Sequence, residues 1–244
     1  MGGRGLTMRR LRKPRIALGV TTVVGLVSAL AVGTLEGTAG ATSHSSTRIT
    51  TAKKALLVLS DMPKGWTSSK SSSNNNAPFP GAAQLASCIG VPTSVITYNA
   101  PSVLSPEFDS KDQQLSVQDS VQVYPSAKAA QADFASLANA KTPECMTSDL
   151  NGPGKAEFDT QIGGGLNVGS IVVTKTPASD YGSGTTDFTM FFPVTEKGVT
   201  INVELTLVDY VKGKEEQTVM LSAFQTNFPT SLARHLTTVA DGRL

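Results

Sequence analysis

The chain of 244 residues contains 21 Lys/Arg and 19 Asp/Glu, and hydrophobic residues make up 39% of it. Six of the basic residues but only one acidic residue lie in residues 1–41, so the other 203 residues carry 15 basic and 18 acidic side chains, a net charge of −3. That length suits one domain. The absence of a Lys/Arg cluster among aromatic residues excludes a typical nucleic-acid-binding protein.

Residues 1–41 have the layout of an export signal. A basic stretch from Arg9 to Arg15 precedes an uncharged, apolar stretch over residues 16–35, and Ala39-Gly40-Ala41 fits a small-x-small cleavage site. The alternative is a retained membrane anchor over residues 16–35, because that stretch is about as long as a bilayer is thick. In both cases we expect the rest of the chain to be secreted or held at the extracytoplasmic cell surface, with membrane contact only through residues 16–35 if they are kept.

Cys88 and Cys145 are the only cysteines in the chain. In an oxidising compartment such a pair predicts a disulfide, which would close a loop of about 57 residues and contribute roughly 4 kcal/mol in the chain-entropy model. A metal site is the alternative, but beyond the export segment only His44 and His235 could supply imidazole ligands. We therefore predict a disulfide, with no metal and no cofactor.

The first part of the exported chain is predicted to be helical. Residues 42–48 are expected to form a polar tether, and residues 49–244 a single domain. After Ile49, one helical face is predicted from the spacing of Ala52, Ala55, Leu56 and Leu59. A proline-containing turn at Asp61–Trp66 ends this helix, residues 68–80 are predicted to be a mobile loop, and Ala82–Ile89 a short helix carrying Cys88.

Strand patterns dominate the rest of the chain. Ser126 is a suitable N-cap for a helix over Ala127–Ala140, with Cys145 just beyond its end, and a last helix is predicted over Thr230–Ala240. Alternation of apolar and polar residues predicts strands at Ser116–Tyr124, Gly169–Lys175, Asp187–Val194, Val199–Leu207 and Thr218–Phe224. The fold class is therefore α+β, an antiparallel sheet covered on one face by these helices and containing one disulfide.

The segment Leu56–Trp66 reads Leu-Leu-Val-Leu-Ser-Asp-Met-Pro-Lys-Gly-Trp. With the order of elements around Cys88 and Cys145, it resembles the extracellular sensor-domain family of actinobacterial Ser/Thr kinases of the PknH type. The resemblance implies an α+β domain with a cleft for an unidentified ligand, and it supplies no catalytic residues. The chain departs from the kinase-linked members because it has no kinase domain and can form one disulfide, where two are expected.

Residues suited to catalysis are few. His235 is the only histidine placed to serve a Ser/His/Asp site, and no Gly-x-Ser-x-Gly turn accompanies it. The glycine-rich run Gly163–Gly169 is followed by a strand pattern, whereas a phosphate-binding loop requires a following helix. A carboxylate pair for glycoside hydrolysis could come from Asp149, Glu157, Asp159, Asp180 or Asp187.

Aromatic residues are the candidates for ligand binding. Phe191 and Phe192 are adjacent in a predicted strand, so their side chains point to opposite faces and one of them leaves the main core. Trp66, at its turn, and Phe188 are the other candidates. Each of the four is otherwise expected to pack in the core.

Three functional hypotheses follow, in order of preference. The first is a non-enzymatic, exported, sensor-like or ligand-binding domain whose small apolar or cell-wall-derived ligand lies between the sheet and its helices. The second is a structural or interaction protein of the cell envelope, for which an exposed apolar patch is the signature. The third is a secreted hydrolase that uses a carboxylate pair.

Overall fold

The computed structural model describes residues 42–70, 81–96, 100–162, 166–176 and 181–244. The predicted export segment, most of the predicted mobile loop, residues 163–165 of the glycine-rich run and Asp180 lie outside these ranges. Within them, no helix combines the length and the apolar character needed to cross a bilayer.

Seven α-helices and nine β-strands make up the described residues. The helices are α1 (Thr42–Ala55), α2 (Ala82–Ile89), α3 (Thr93–Ile96), α4 (Ala127–Leu137), α5 (Thr142–Leu150), α6 (Lys155–Ile162) and α7 (Thr230–Asp241). A short 3-10 helix covers Leu59–Asp61. The strands are β1 (Thr67–Ser69), β2 (Ser102–Leu104), β3 (Glu107–Asp109), β4 (Leu115–Val123), β5 (Asn167–Val168), β6 (Val172–Thr176), β7 (Thr185–Glu196), β8 (Val199–Lys212) and β9 (Glu215–Phe224).

The strands form one antiparallel sheet with β8 near its centre. Its order is β1-β3-β4-β9-β8-β7-β5, with β2 also paired to β4 and β6 also paired to β7. The long hairpin β7–β8 turns at Lys197-Gly198, and β9 returns beside β8 after the turn at Gly213. Three long, consecutive, antiparallel strands therefore form the frame on which the helices pack.

One face of this sheet is closed by helices, and we call it the sealed face. Apolar residues of β7, β8 and β9, among them Phe188, Phe192 and Leu205, pack here against residues of α2, α5 and α6. The disulfide between Cys88 and Cys145 joins α2 to α5 within this layer. Farther along the same face, Phe134 of α4 packs on Val211.

The opposite face carries α1 and α7 and is only partly covered, so we call it the open face. Leu236 and Ala240 of α7 pack on Val208 and Tyr210 of β8. Side chains of α1 cover Val121 and Val123 at the β4 end of the sheet. The outer parts of β6, β7 and β8 are left partly exposed, as Phe191 shows with 45% of its surface accessible.

The predicted α+β class, the antiparallel sheet and the single disulfide are confirmed. The structure differs in placing helices on both faces of the sheet. The sequence predicted that α4 and α7 cover one face together, but they lie on opposite faces. Helix α4 contacts Val211 and α7 contacts Tyr210, and these neighbouring residues of β8 point to opposite sides of the sheet.

Three local predictions are also corrected. The predicted tether is helical, since α1 begins at Thr42. Leu59 does not share its apolar face: α1 ends at Ala55, and Leu59 is 43% exposed in the 3-10 helix. Cys145 lies within α5 rather than at the end of α4, so the disulfide holds α2 to α5.

The segment Leu56–Trp66, on which the family resemblance was based, has a structural role. Asp61 accepts a hydrogen bond from the Val58 N–H at 2.8 Å and binds the Arg243 guanidinium through two bonds of 2.7 Å. The buried Asp119 carboxylate accepts the Leu57 N–H at 3.2 Å. Since Arg243 directly follows α7, these contacts fix the C-terminal end of that helix against the start of the domain.

Strand β6 lies at an edge of the sheet that α5 protects. The Val173 N–H donates to Thr147 Oγ1 at 3.0 Å, and the Ile171 N–H donates to Asn151 Oδ1 at 2.8 Å. Outward-facing backbone groups of an edge strand otherwise invite pairing with another chain. The side chains of α5 thus hold β6 in the sheet and occupy these two N–H groups.

Candidate functional site

A cleft runs along the open face between α7 and strands β6–β8, and we call it the α7 cleft. It consists of an inner cavity of about 250 Å³ under α7 and an outer cavity of about 660 Å³ beside the loop that follows β9. Glu204 lines both cavities, so they adjoin. Pockets for small ligands typically span roughly 300–1,000 Å³, and the combined space falls in that range.

A row of threonine hydroxyls forms the floor of the inner cavity. Thr176 Oγ1 and Thr189 Oγ1 lie 3.0 Å apart, and Thr189 Oγ1 and Thr206 Oγ1 are also 3.0 Å apart. The row crosses three strands because alternate residues of β6, β7 and β8 point to this face. Hydroxyls both donate and accept, so this floor can bind either kind of polar group.

Asp187 lies at one end of this row. Its Oδ1 atom is buried and has no hydrogen-bond partner within the described residues. Burial raises the pKa of Asp187 to about 7, and the positive charge of Lys175 partly opposes the shift. A carboxylate in this state is stabilised by any donor that a ligand brings to it.

Glu204 lies at the other end, where the inner and outer cavities meet. Its carboxylate accepts a hydrogen bond from the Phe228 N–H at 3.3 Å, and burial raises its pKa. Phe191 stands directly opposite Glu204 on the neighbouring strand, and Val172 stands opposite Phe191. Outside α7, the cleft therefore continues as an apolar platform beside a carboxylate.

Helix α7 forms the wall of the inner cavity. Thr230, Ala233, Arg234 and Thr237 face the cavity at the spacing of one helical face. Arg234 is exposed, and no ion pair joins it to another side chain in the part of the chain that the structure describes. The wall thus contributes a cation opposite the two carboxylates of the floor.

The four predicted ligand-binding aromatics do not come together. Phe188 and Phe192 are core residues of the sealed face, with exposures of 1% and 2%, and Phe192 packs edge-on against Phe158. Trp66 is partly buried in the cluster beneath α7. Phe191 and Phe192 both border the outer cavity, but only Phe191 of the four leaves the core, with 45% of its surface accessible.

The other predicted candidates are dispersed. His235 is exposed on α7 near Asp61, whose negative charge it complements. Asp149 and Glu157 both lie against Gly81: Glu157 accepts its N–H at 3.1 Å, and a Cβ at Gly81 would meet Asp149 at 1.9 Å. Asp159 pairs with Lys155. Only Asp187 of these carboxylates lines the α7 cleft.

Most residues of the cleft were not predicted from the sequence. The threonine row, Glu204 and Arg234 form no sequence motif, because their proximity depends on strand register and on the position of α7. The one available signal was the polar side of the predicted strands, which carries Thr189, Glu204 and Thr206 in alternation with apolar residues. No cluster of three or more metal-ligating side chains occurs among the residues described.

Comparison with known proteins gives little further guidance. No family model matches the chain, and no curated protein matches it. Among solved structures, it is similar to the extracellular domain of PknH from Mycobacterium tuberculosis, with 8% identity and a TM-score of 0.32 over 59% of this chain and 78% of that one. A likeness this low carries no conclusion about function, so the family resemblance stays a prediction.

Proposed function

We propose that this chain is an exported, non-enzymatic, sensor-like domain that binds a small ligand in the α7 cleft at the cell surface. The observation that carries the proposal is the incomplete cover of the open face. There the cleft combines hydroxyls, two carboxylates and an arginine with an exposed aromatic ring. A few convergent polar groups in a concave, partly apolar site are the usual features of a binding pocket.

The disulfide supports the location outside the cytoplasm. Cys88 and Cys145 are paired, and such bonds persist in oxidising compartments and are rare in the cytosol. The export signal predicted over residues 1–41 points to the same location.

The spacing of the cleft carboxylates supports binding rather than hydrolysis. Asp187 lies opposite Val208, four residues along β8 from Glu204. At about 3.4 Å per strand residue, the two Cα atoms are some 14 Å apart. Because strand side chains stand roughly perpendicular to the sheet, we expect the two carboxyl groups to be separated by a similar distance. Glycosidases hold their carboxyl groups roughly 5–9.5 Å apart, so this arrangement favours binding.

Native mass spectrometry of the protein isolated from its host's culture medium or envelope tests the proposal. We expect a bound mass that survives gentle ionisation and is released on denaturation. Thr206→Val and Phe191→Ala should lower its occupancy, whereas Leu59→Ala, which removes an equally exposed apolar side chain elsewhere, should not. A bare protein, or a bound mass indifferent to both cleft variants, would contradict the proposal.

An envelope interaction protein is the second candidate. Val172 and Phe191 stand side by side on the open face, and they are 49% and 45% exposed. Paired exposed apolar residues of this kind also occur in protein–protein contacts. Crosslinking in intact cells distinguishes the two candidates: a specific protein partner lost in Phe191→Ala, together with an empty cleft, would favour this one.

A further inference from the structure

The inner cavity is lined by two carboxylates, Asp187 and Glu204, and by the cationic side chain of Arg234. The Glu204 carboxylate accepts the Phe228 N–H beside the start of α7, and Asp241 at the end of α7 accepts the N–H of Gly182, in the loop that leads into β7, the strand of Asp187. Helix α7 therefore runs from the Glu204 end to the Asp187 end of the cavity. Arg234 lies midway between Thr230 and Thr237, two residues about 10 Å apart along the helix.

No ion pair joins Arg234 to either carboxylate within the described residues. Asp187 differs from Glu204 because one of its oxygen atoms is buried without any partner in the described residues, whereas Glu204 already accepts a backbone N–H. The buried oxygen of Asp187 can accept a hydrogen bond from a ligand, and a cationic donor would bind it most strongly. The guanidinium of Arg234 suits an anion with two acceptor oxygens, such as a carboxylate.

We propose that the inner cavity binds a zwitterion, a free α-amino acid or the end of a short peptide, with its ammonium on Asp187 and its carboxylate on Arg234. The proposal rests on the function proposed above and names the ligand class. The threonine row supplies acceptors beside the ammonium, and Val208, Leu221 and Phe228 offer apolar contacts to a side chain. The volume of about 250 Å³ suits a molecule of that size.

Isothermal titration calorimetry on the exported protein tests the proposal with four probes. The zwitterions are L-leucine and L-alanyl-L-alanine, and each of two analogues lacks one charge: N-acetyl-L-leucine has no ammonium and L-leucinamide has no carboxylate. We expect at least one zwitterion to bind, and both analogues to bind at least about tenfold more weakly, which corresponds to the loss of one charge-assisted hydrogen bond.

Variants assign each charge to its residue. Asp187→Asn should weaken L-leucine and L-leucinamide but leave N-acetyl-L-leucine unchanged, and Arg234→Gln should weaken L-leucine and N-acetyl-L-leucine but leave L-leucinamide unchanged. Lys128→Gln, at an exposed site on α4, is the control and should bind L-leucine as the native protein does.

Two results overturn the inference. One is equal binding of zwitterions and capped analogues, and the other is no binding of any probe at millimolar concentration. If native mass spectrometry still finds a bound ligand on the native protein that is absent from Thr206→Val, the cleft binds another class of molecule; the proposed function then holds and this inference fails. If the native protein carries no bound ligand, the proposed function and this inference both fail.

Discussion

The same strands present buried side chains on one face of the sheet and cavity-lining side chains on the other. On the sealed face, Phe188, Phe192 and Leu205 are all 2% exposed or less beneath α2, α5 and α6. On the open face, their strand neighbours Thr189, Phe191 and Glu204 line or approach the α7 cleft. The sealed face is therefore core along these strands, whereas the part of the open face beyond α7 can vary its side chains with little effect on stability.

The difference is clearest at the adjacent pair Phe191 and Phe192. Phe192→Ala should lower the free energy of unfolding by about 3–5 kcal/mol, because it leaves a cavity in a closed core. Phe191→Ala should lower it by about 1 kcal/mol or less, because the residue is 45% exposed and its removal leaves no closed cavity. Urea denaturation of both variants measures the two values. Similar losses for both would show that the open face is covered by something else.

Removal of the disulfide should also act on the sealed face. Replacing both Cys88 and Cys145 by Ser should destabilise the domain by about 4 kcal/mol in the chain-entropy model, since the bond closes a long loop between α2 and α5. Comparing thermal unfolding with that of the native protein, with and without reductant, measures the loss. Reductant should change the native protein alone; an equal effect on the double Ser variant would rule out the disulfide as the cause.

The sealed face also encloses carboxyl groups that should make stability depend on pH. Burial raises the pKa of Asp209 to about 7 and that of Asp133 to about 6, although Thr218 and Tyr124 respectively donate to them. The folded protein holds these protons more tightly than the unfolded chain, whose Asp pKa is about 4. Their contribution to stability is thus complete below about pH 4 and is lost, by several kcal/mol, as pH rises from there to about 6–7.

Urea denaturation at pH 5 and pH 8 measures this dependence. Asp209→Asn keeps the acceptor for Thr218 and should flatten the dependence, whereas Asp187→Asn should flatten it less, because Asp187 is only partly buried and Asp209 is fully buried. A stability that rises with pH, or a larger effect of Asp187→Asn, would reverse this comparison of the two faces.

The smallest expected effect concerns the C-terminal end of α7. Arg243→Gln breaks the two-bond contact with Asp61, a partly buried ion pair, and should cost about 1 kcal/mol. Because the contact also positions α7 over the cleft, ligand occupancy should fall more than stability does. Hydrogen exchange of α7 amides reports the loosening, and unchanged exchange would show that the apolar contacts of Leu236 and Ala240 suffice.

Several elements were predictable from local sequence alone. Alternation predicted strands β8 and β9, and Ser126 caps α4 by accepting the Ala129 N–H at 3.1 Å. The opposite directions of Phe191 and Phe192 also followed from strand geometry. Helices α5 and α6 were missed because each is short and has too few apolar residues for a clear period.

The sequence by itself therefore determined the class of fold, the disulfide and the alternating strands, since each depends on residues close in the chain or on a pair of unique cysteines. Only the tertiary structure decided that α4 and α7 lie on opposite faces, which phenylalanine enters the core, and that Asp187, Thr206 and Arg234 share a cavity. Those outcomes depend on strand register and helix docking, which arise from contacts between residues far apart in the chain.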